Sequence, residues 1–326
     1  MLALRFAILP ACCLAGPAWS GSPRLIADRA LLHFAAAAPR FSSAESAWLP
    51  ADQETLWATA CSPGQRSAPI LALTTRPPTR REASVCVRAG AGEPWSSPIG
   101  QEAVYALSNA PNWTGLDSAN LYRALAASVP VAGGVLVPNE ARTWRDLDAG
   151  LPKGEIDILL PDPAQATRDL IERTVLQPGC LAFAPAKEIS AAAERARVCK
   201  RVRAENGVTE ASSDLDVLAW LRSRQGPALA LTTQATIERL GDDLVVLALD
   251  GVVPTYSAVA TGEYTASRAV YLTLLAPDTA VREVALALAA EDAIGPSGSL
   301  ARQGLTPVPA AQRVELRARL LELPVS

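Results

Sequence analysis

The chain is expected to fold as two α/β lobes, and three observations carry that expectation. After a short leader-like start, about 300 residues remain, more than one core comfortably encloses. Short apolar runs alternate with Ala/Leu/Arg-rich stretches of helical period, the pattern of parallel sheets covered by helices. No repeat of fixed period is visible, so a solenoid or propeller is not indicated.

The elements follow in order. Residues 1–20 carry one early cation, Arg5, an apolar run from Phe6 to Leu14, and Ala18-Trp19-Ser20 ahead of Gly21. This is the composition of a secretory signal peptide. The run is far shorter than the ~20 residues a membrane-spanning helix needs. A competing reading, a lipoprotein signal with Cys12 or Cys13 lipidated, fits less well, because Cys12 follows Leu-Pro-Ala. The mature protein is therefore expected to be soluble, exported and periplasmic. Strands are expected at 69–74, 103–107, 155–160, 228–232, 244–249 and 269–274, and helices at 117–127, 167–176, 189–203, 214–222, 280–290 and 310–321. Asp117 or Ser118 is a suitable N-cap for the first of these helices.

Composition narrows the chemistry. The formal charge is −3 and there is no Lys/Arg block, which argues against a nucleic-acid partner. His33 is the only histidine, and it lies in the apolar run LLHFAAAA, where a core or boundary role is the ordinary one. No Cys pair has CxxC spacing and no HExxH occurs, so neither a metal nor another cofactor is expected, and no enzyme activity is expected either.

The stretch from Leu116 to Cys180 is the most informative. It runs LDSANLYRALAA, TWRDLDAGLP, EIDILLP, DPAQATRDL and then PGC. A loop feeding a helix directly after a strand offers N–H groups with no intrahelical partner and a partial positive charge. Arg168 adds a forked cation suited to an oxyanion. A plainer reading is open: Thr167 caps a helix while Arg168 and Asp169 make a surface ion pair.

These segments resemble the periplasmic phosphate-binding proteins of ABC importers, in the subgroup whose site loop reads Ser-Gly-Thr-Arg-Asp. Further matches are CKRVRAENG from Cys199, DGVVPT from Asp250 and GEYTASR from Gly262. The resemblance implies a two-lobed periplasmic binding protein fold (type II), each lobe a mostly parallel sheet flanked by helices. It places 21–104 in lobe 1, 105–268 in lobe 2 and 269–326 in lobe 1 again, with an interlobe cleft closed by hinge motion. It implies Thr167, Arg168 and Asp169 as ligand residues, Arg168 as the main charge contact and Asp169 as its brace. Gln165 and Ala166 stand at the family's Ser and Gly, and Thr75 is the contact from the opposite lobe. Four cysteines remain after the leader, and sequence alone permits three pairings. Short loop closure together with the resemblance favours Cys180–Cys199 and Cys61–Cys86, each worth ~3 kcal/mol in the chain-entropy model.

The departures fall on ligand positions. Where the family has a Gly-Ser-Ser-Thr loop, this chain has Leu25 to Leu31, without Ser or Thr and with Asp28, which would repel phosphate unless paired with Arg29. A Gly-rich stretch before Cys61 is replaced by Pro50-Ala51-Asp52-Gln53-Glu54-Thr55, and the family's proton-accepting Asp falls near Ile70. Two functions remain in view. One is a monomeric solute-binding protein that delivers phosphate or a related oxyanion to ABC importer membrane subunits. The other is a repurposed scaffold with a different small-molecule or protein partner, whose cleft is filled by side chains such as Gln165 or Trp57.

Overall fold

Alternating burial organises the first sheet. The computed structural model describes residues 24–39, 48–61, 69–111, 113–205, 207–211, 216–237 and 239–325, so the expected leader with Arg5, Cys12 and Cys13 lies outside them. Six strands make this sheet: β1 (Arg24–Asp28), β2 (Leu49–Ala51), β3 (Ile70–Thr74), β4 (Trp95–Ala103), β12 (Ser267–Leu275) and β13 (Leu305–Pro307), in the order β13-β4-β12-β3-β1-β2. Successive strand residues point to opposite faces. Leu25, Ala27, Leu71 and Leu73 therefore join one buried cluster with Phe34, Val281, Leu288 and Leu316. Ile26, Ile70 and Ala72 join another with Leu56, Trp57 and Cys86. Both faces are covered, which is why β3 reads as an unbroken apolar run.

The second sheet holds β5 (Tyr105–Ser108), β8 (Ile158–Pro161), β9 (Val208–Ala211), β10 (Leu229–Thr232) and β11 (Val245–Val246), ordered β11-β5-β10-β8-β9. A separate hairpin joins β6 (Ser128–Val131) to β7 (Val135–Pro138). The two lobes expected from the sequence are therefore present, but each sheet is mixed rather than mostly parallel. β1 pairs in parallel with β2 and β3, and β8 with β9 and β10. The antiparallel pairs arise where the chain crosses between the sheets: β12 with β3 and β4, β13 with β4, and β5 with β10 and β11.

Both crossings lie side by side. Val104 alone separates β4 from β5, and its N–H donates to the Ala266 carbonyl (2.8 Å) just before β12. The Tyr264 hydroxyl donates to the Val104 carbonyl at 2.8 Å. Ser267 and Arg268 already pair with Ala103 and Glu102 in the first sheet, so Arg268 belongs to lobe 1.

The helices that matter here are α1 (Leu32–Ala37), α2 (Gln53–Ala60), α3 (Arg80–Arg88), α4 (Ser118–Leu125) and α5 (Ala166–Ile171). The Asp117 carboxylate caps α4 by accepting from the Asn120 N–H, as expected. Thr79 and Glu82 cap α3 reciprocally, the Thr79 hydroxyl accepting from the Glu82 N–H while the Glu82 carboxylate accepts from the Thr79 N–H. Helix α5 does not stop where expected but runs on through a π turn, Glu172–Leu176, to Ala182. Pro178 lies just past that turn. It has no N–H for the Thr174 carbonyl, and its ring crowds that carbonyl, a recognised cause of helix irregularity. Disulfides join Cys61 to Cys86 and Cys180 to Cys199, the pairing the resemblance favoured. Among the described residues, no helix is long and apolar enough to cross a membrane.

Candidate functional site

A cavity of about 290 Å3 lies where the two lobes face each other. Lobe 1 contributes Asp28, Arg29 and Asp52, and lobe 2 contributes Gln165, Asp169 and Arg173. Asp28 ends β1, and its carboxylate accepts from the Ala30 N–H at 3.0 Å, capping the 3-10 turn Arg29–Leu31. Arg29 pairs with Asp52 at 3.2 Å, not with Asp28, so the pairing that would have offset the Asp28 charge is not made, and both partners are mostly exposed. Across the cavity, Arg173 reaches Asp169 one helical turn back, at 2.8 Å, with the arginine again mostly exposed.

The lobe 1 donors expected to hold a ligand are engaged by the chain itself. The Gln53 side-chain carbonyl accepts from both the Thr75 N–H (3.1 Å) and the Thr75 hydroxyl (2.7 Å), while its amide donates to the Arg76 carbonyl (2.6 Å). Gln53 is buried, so this bridge is part of the lobe, and Thr75 does not line the cavity. Ile70 is buried in the core on β3 and supplies no carboxylate. Trp57 is likewise core and fills no cleft. Gln165, by contrast, lines the cavity with Ala166. Gln165 stands at the N-cap of α5 without making a side-chain cap, so the first-turn N–H groups of α5 begin at the cavity wall.

Arg168 departs most from expectation. Only 4% exposed, it donates to the Pro161 carbonyl at 3.0 Å and pairs with Glu210 at 3.1 Å and Glu172 at 3.6 Å. It ties α5 to the β8–β9 edge of its own lobe and does not reach the cavity. Asp169 does not brace it, and Thr167 does not line the cavity. The reason is helical geometry: residues 168 and 169 lie about 100° apart around the axis, so they cannot face one way. The plainer reading, a cap by Thr167 and an Arg168–Asp169 pair, fails with it, since Gln165 holds the cap position.

Asp169 turns instead toward lobe 1. Its carboxylate accepts from Arg268 Nη1 at 2.9 Å. Arg268 is otherwise bound within its own lobe, donating to Glu102 from Nε (2.9 Å) and Nη2 (2.7 Å) and to the Ala30 carbonyl (2.9 Å). Glu102 is 1% exposed and also pairs with His33 Nε2 at 3.1 Å, so His33 is a boundary residue. Burial pushes the Glu102 carboxyl up, but the His33 contact and the Arg268 charge outweigh it and hold the group below its ordinary range. Sequence reading missed Arg29, Arg173, Glu102 and Arg268 as participants. Only Arg173 had a local signal, its i, i+4 spacing from Asp169. Arg29 meets Asp52 from 23 positions away, and the contacts of Glu102 and Arg268 join residues about 70 or more positions apart.

A pair of mixed sheets joined by two adjacent crossings, with a polar cavity between them, defines a two-lobed α/β binding protein. The chain belongs to the PBP superfamily, whose domain matches residues 68–290. In structure it is similar to a possible phosphate binding protein from Planctomyces limnophilus (TM-score 0.68, 17% identity, 92% of this chain and 98% of that one). It is also similar to PstS from Borrelia burgdorferi (0.57, 13%, 89% and 100%). A third similar structure is an ABC-type phosphate transport receptor from Vibrio cholerae (0.51, 14%, 88% and 100%). At these identities the likeness is one of fold. No curated protein is similar enough in sequence to count as a match.

Proposed function

We propose that the chain is an exported solute-binding protein that takes a small oxyanion of the phosphate class in the interlobe cavity, for delivery to an ABC importer. The observation that carries this reading is the placement of one recruitable cation from each lobe, Arg29 and Arg173, in the lining of the same cavity. Among the described residues each forms its ion pair with one exposed or part-exposed carboxylate, and pairs of that kind are worth roughly 0–1 kcal/mol. An incoming anion can therefore displace Asp52 and Asp169 at small cost and bridge the lobes through both guanidinium groups. The α5 N-terminus adds N–H donors from lobe 2. The phosphate class is supported by what the structural relatives are said to bind, and export by the two disulfides. Arg29 and Arg173 replace Arg168 as the charge contacts in this reading.

Thermal unfolding of the oxidised protein with phosphate, and with sulfate as control, tests it. A ligand held only by the folded state stabilises it by ~2.7 kcal/mol at one hundred times its Kd. The expected result is a saturable shift with phosphate that Arg173→Gln removes and Arg168→Ala leaves at wild-type affinity. No shift with either anion sinks the reading.

A second reading is favoured by one observation, the engagement of lobe 1 donors by Gln53 and of the Ala30 N–H by Asp28. A cradle filled by its own acceptors suits a repurposed scaffold that recognises a different small molecule or a protein. The absence of any anion-dependent shift would move the assignment there.

A further inference from the structure

The Asp169 carboxylate has two claimants in different lobes. Arg173, on its own helix, donates from Nε to both oxygens (2.8 and 2.9 Å), and Arg268, on the first strand of the return into lobe 1, donates from Nη1 to Oδ2 (2.9 Å). The two cations differ in how they are held. Arg173 is exposed and has Asp169 as its ion-pair partner. Arg268 is pinned inside lobe 1 by two bonds to the buried Glu102 and one to the Ala30 carbonyl. When the lobes separate, Arg268 keeps those three bonds and stays where it is. Asp169 loses its interlobe bond and retains Arg173.

We propose that Asp169 is the interlobe latch of this protein, divided between Arg173 of its own lobe and Arg268 of the other so that the demand on Arg173 sets the balance between open and closed forms. An anion that recruits Arg173 withdraws that cation from Asp169. The carboxylate then has Arg268 as its sole cationic partner, and the closed arrangement is the one that provides it. Ligand binding and closure are coupled through one shared group, and by linkage the coupling is reciprocal. The anion half of this inference rests on the function proposed above; the latch itself does not. It also differs from the brace expected from the sequence, in which Asp169 would have served Arg168 within a single lobe.

The latch is tested without ligand. Small-angle scattering at low salt and free of phosphate would give the radius of gyration of wild type, Asp169→Asn and Arg173→Gln. Asparagine keeps the shape of the side chain but loses the charge. The expected result is a larger radius for Asp169→Asn and an unchanged or smaller one for Arg173→Gln, in which Asp169 belongs to Arg268 alone. Equal radii for all three overturn the latch. A rise in both variants also overturns it, because that reports general loosening rather than a shared carboxylate. Circular dichroism and thermal unfolding of each variant show that folded protein is being compared. Adding phosphate then separates the two readings. Compaction of wild type but not of Asp169→Asn supports both. A more open Asp169→Asn with no phosphate response in any form upholds the latch and removes the proposed ligand.

Discussion

Arg168 and Arg268 have side chains that are 5% and 8% exposed, and each contacts two carboxylates and one backbone carbonyl. They nevertheless do different work. All the partners of Arg168 lie in lobe 2, at Pro161, Glu172 and Glu210. Those of Arg268 come from β4, from the turn after β1, and from α5 across the lobe boundary. The first arginine fastens a helix to its sheet, and the second fastens one lobe to the other. The same residue type at similar burial becomes structural or conformational according to where its partners sit, not according to the motif in which it is written.

The comparison is open to attack by substitution. Arg268→Ala carries the largest expected effect, because it leaves Glu102 buried with only His33 beside it. Stranding one member of a buried pair costs roughly 3–5 kcal/mol. Urea unfolding of the variant measures it, and a loss no greater than that of Arg168→Ala would erase the distinction drawn above. Arg168→Ala is expected to cost about 2 kcal/mol, from lost charge-assisted hydrogen bonds. The penalty is smaller because Glu172 and Glu210 remain partly in water. A collapse of phosphate affinity in that variant would return Arg168 to the ligand.

The smallest effect belongs to a third arginine pair, Arg76 with Glu82, which is local and partly exposed. The Arg76 hydrogen bond leads in holding the Glu82 carboxyl down, at about 2 against an ordinary 4.5, and burial opposes it. A carboxyl whose pKa is lower folded than unfolded stabilises fully above its unfolded value. Its contribution is lost as pH falls through the folded one. Glu82→Gln should therefore cost about 1 kcal/mol at neutral pH, the scale of a lost helix cap. The difference from wild type should fade between pH 4.5 and about 2 in urea titrations. A gap that persists at the acid end would mean that the glutamine disturbs α3 by shape rather than by charge.

Much of the fold was legible because it rests on local pattern. The buried strands β3, β8 and β10 are short unbroken apolar runs, and each was expected within a few residues. β4 was not, since WSSPIGQEA alternates polar and small residues and carries a proline, and only its pairing with β12 makes it a strand. β11 contracts to two residues beside β5. The site was less legible for the same reason. Gln165, Ala166 and Asp169 reach the cavity because they sit at the start of a helix that the sequence did announce. Arg29 and Arg268 owe their places to register in a sheet assembled from both ends of the chain.

That assembly has a consequence for how the chain comes to exist as a folded object. Lobe 2 is one continuous insertion between Val104 and Ala266, with its own sheet and its own disulfide. Lobe 1 lacks two of its six strands until residues 267–307 arrive, and β3, the neighbour of β1, waits some two hundred positions for β12. Contacts that distant close slowly, and an unpartnered strand edge is exposed while they do. During synthesis the inserted lobe can mature first, while the N-terminal half-sheet remains the vulnerable partner, completed only when residues 267–307 arrive.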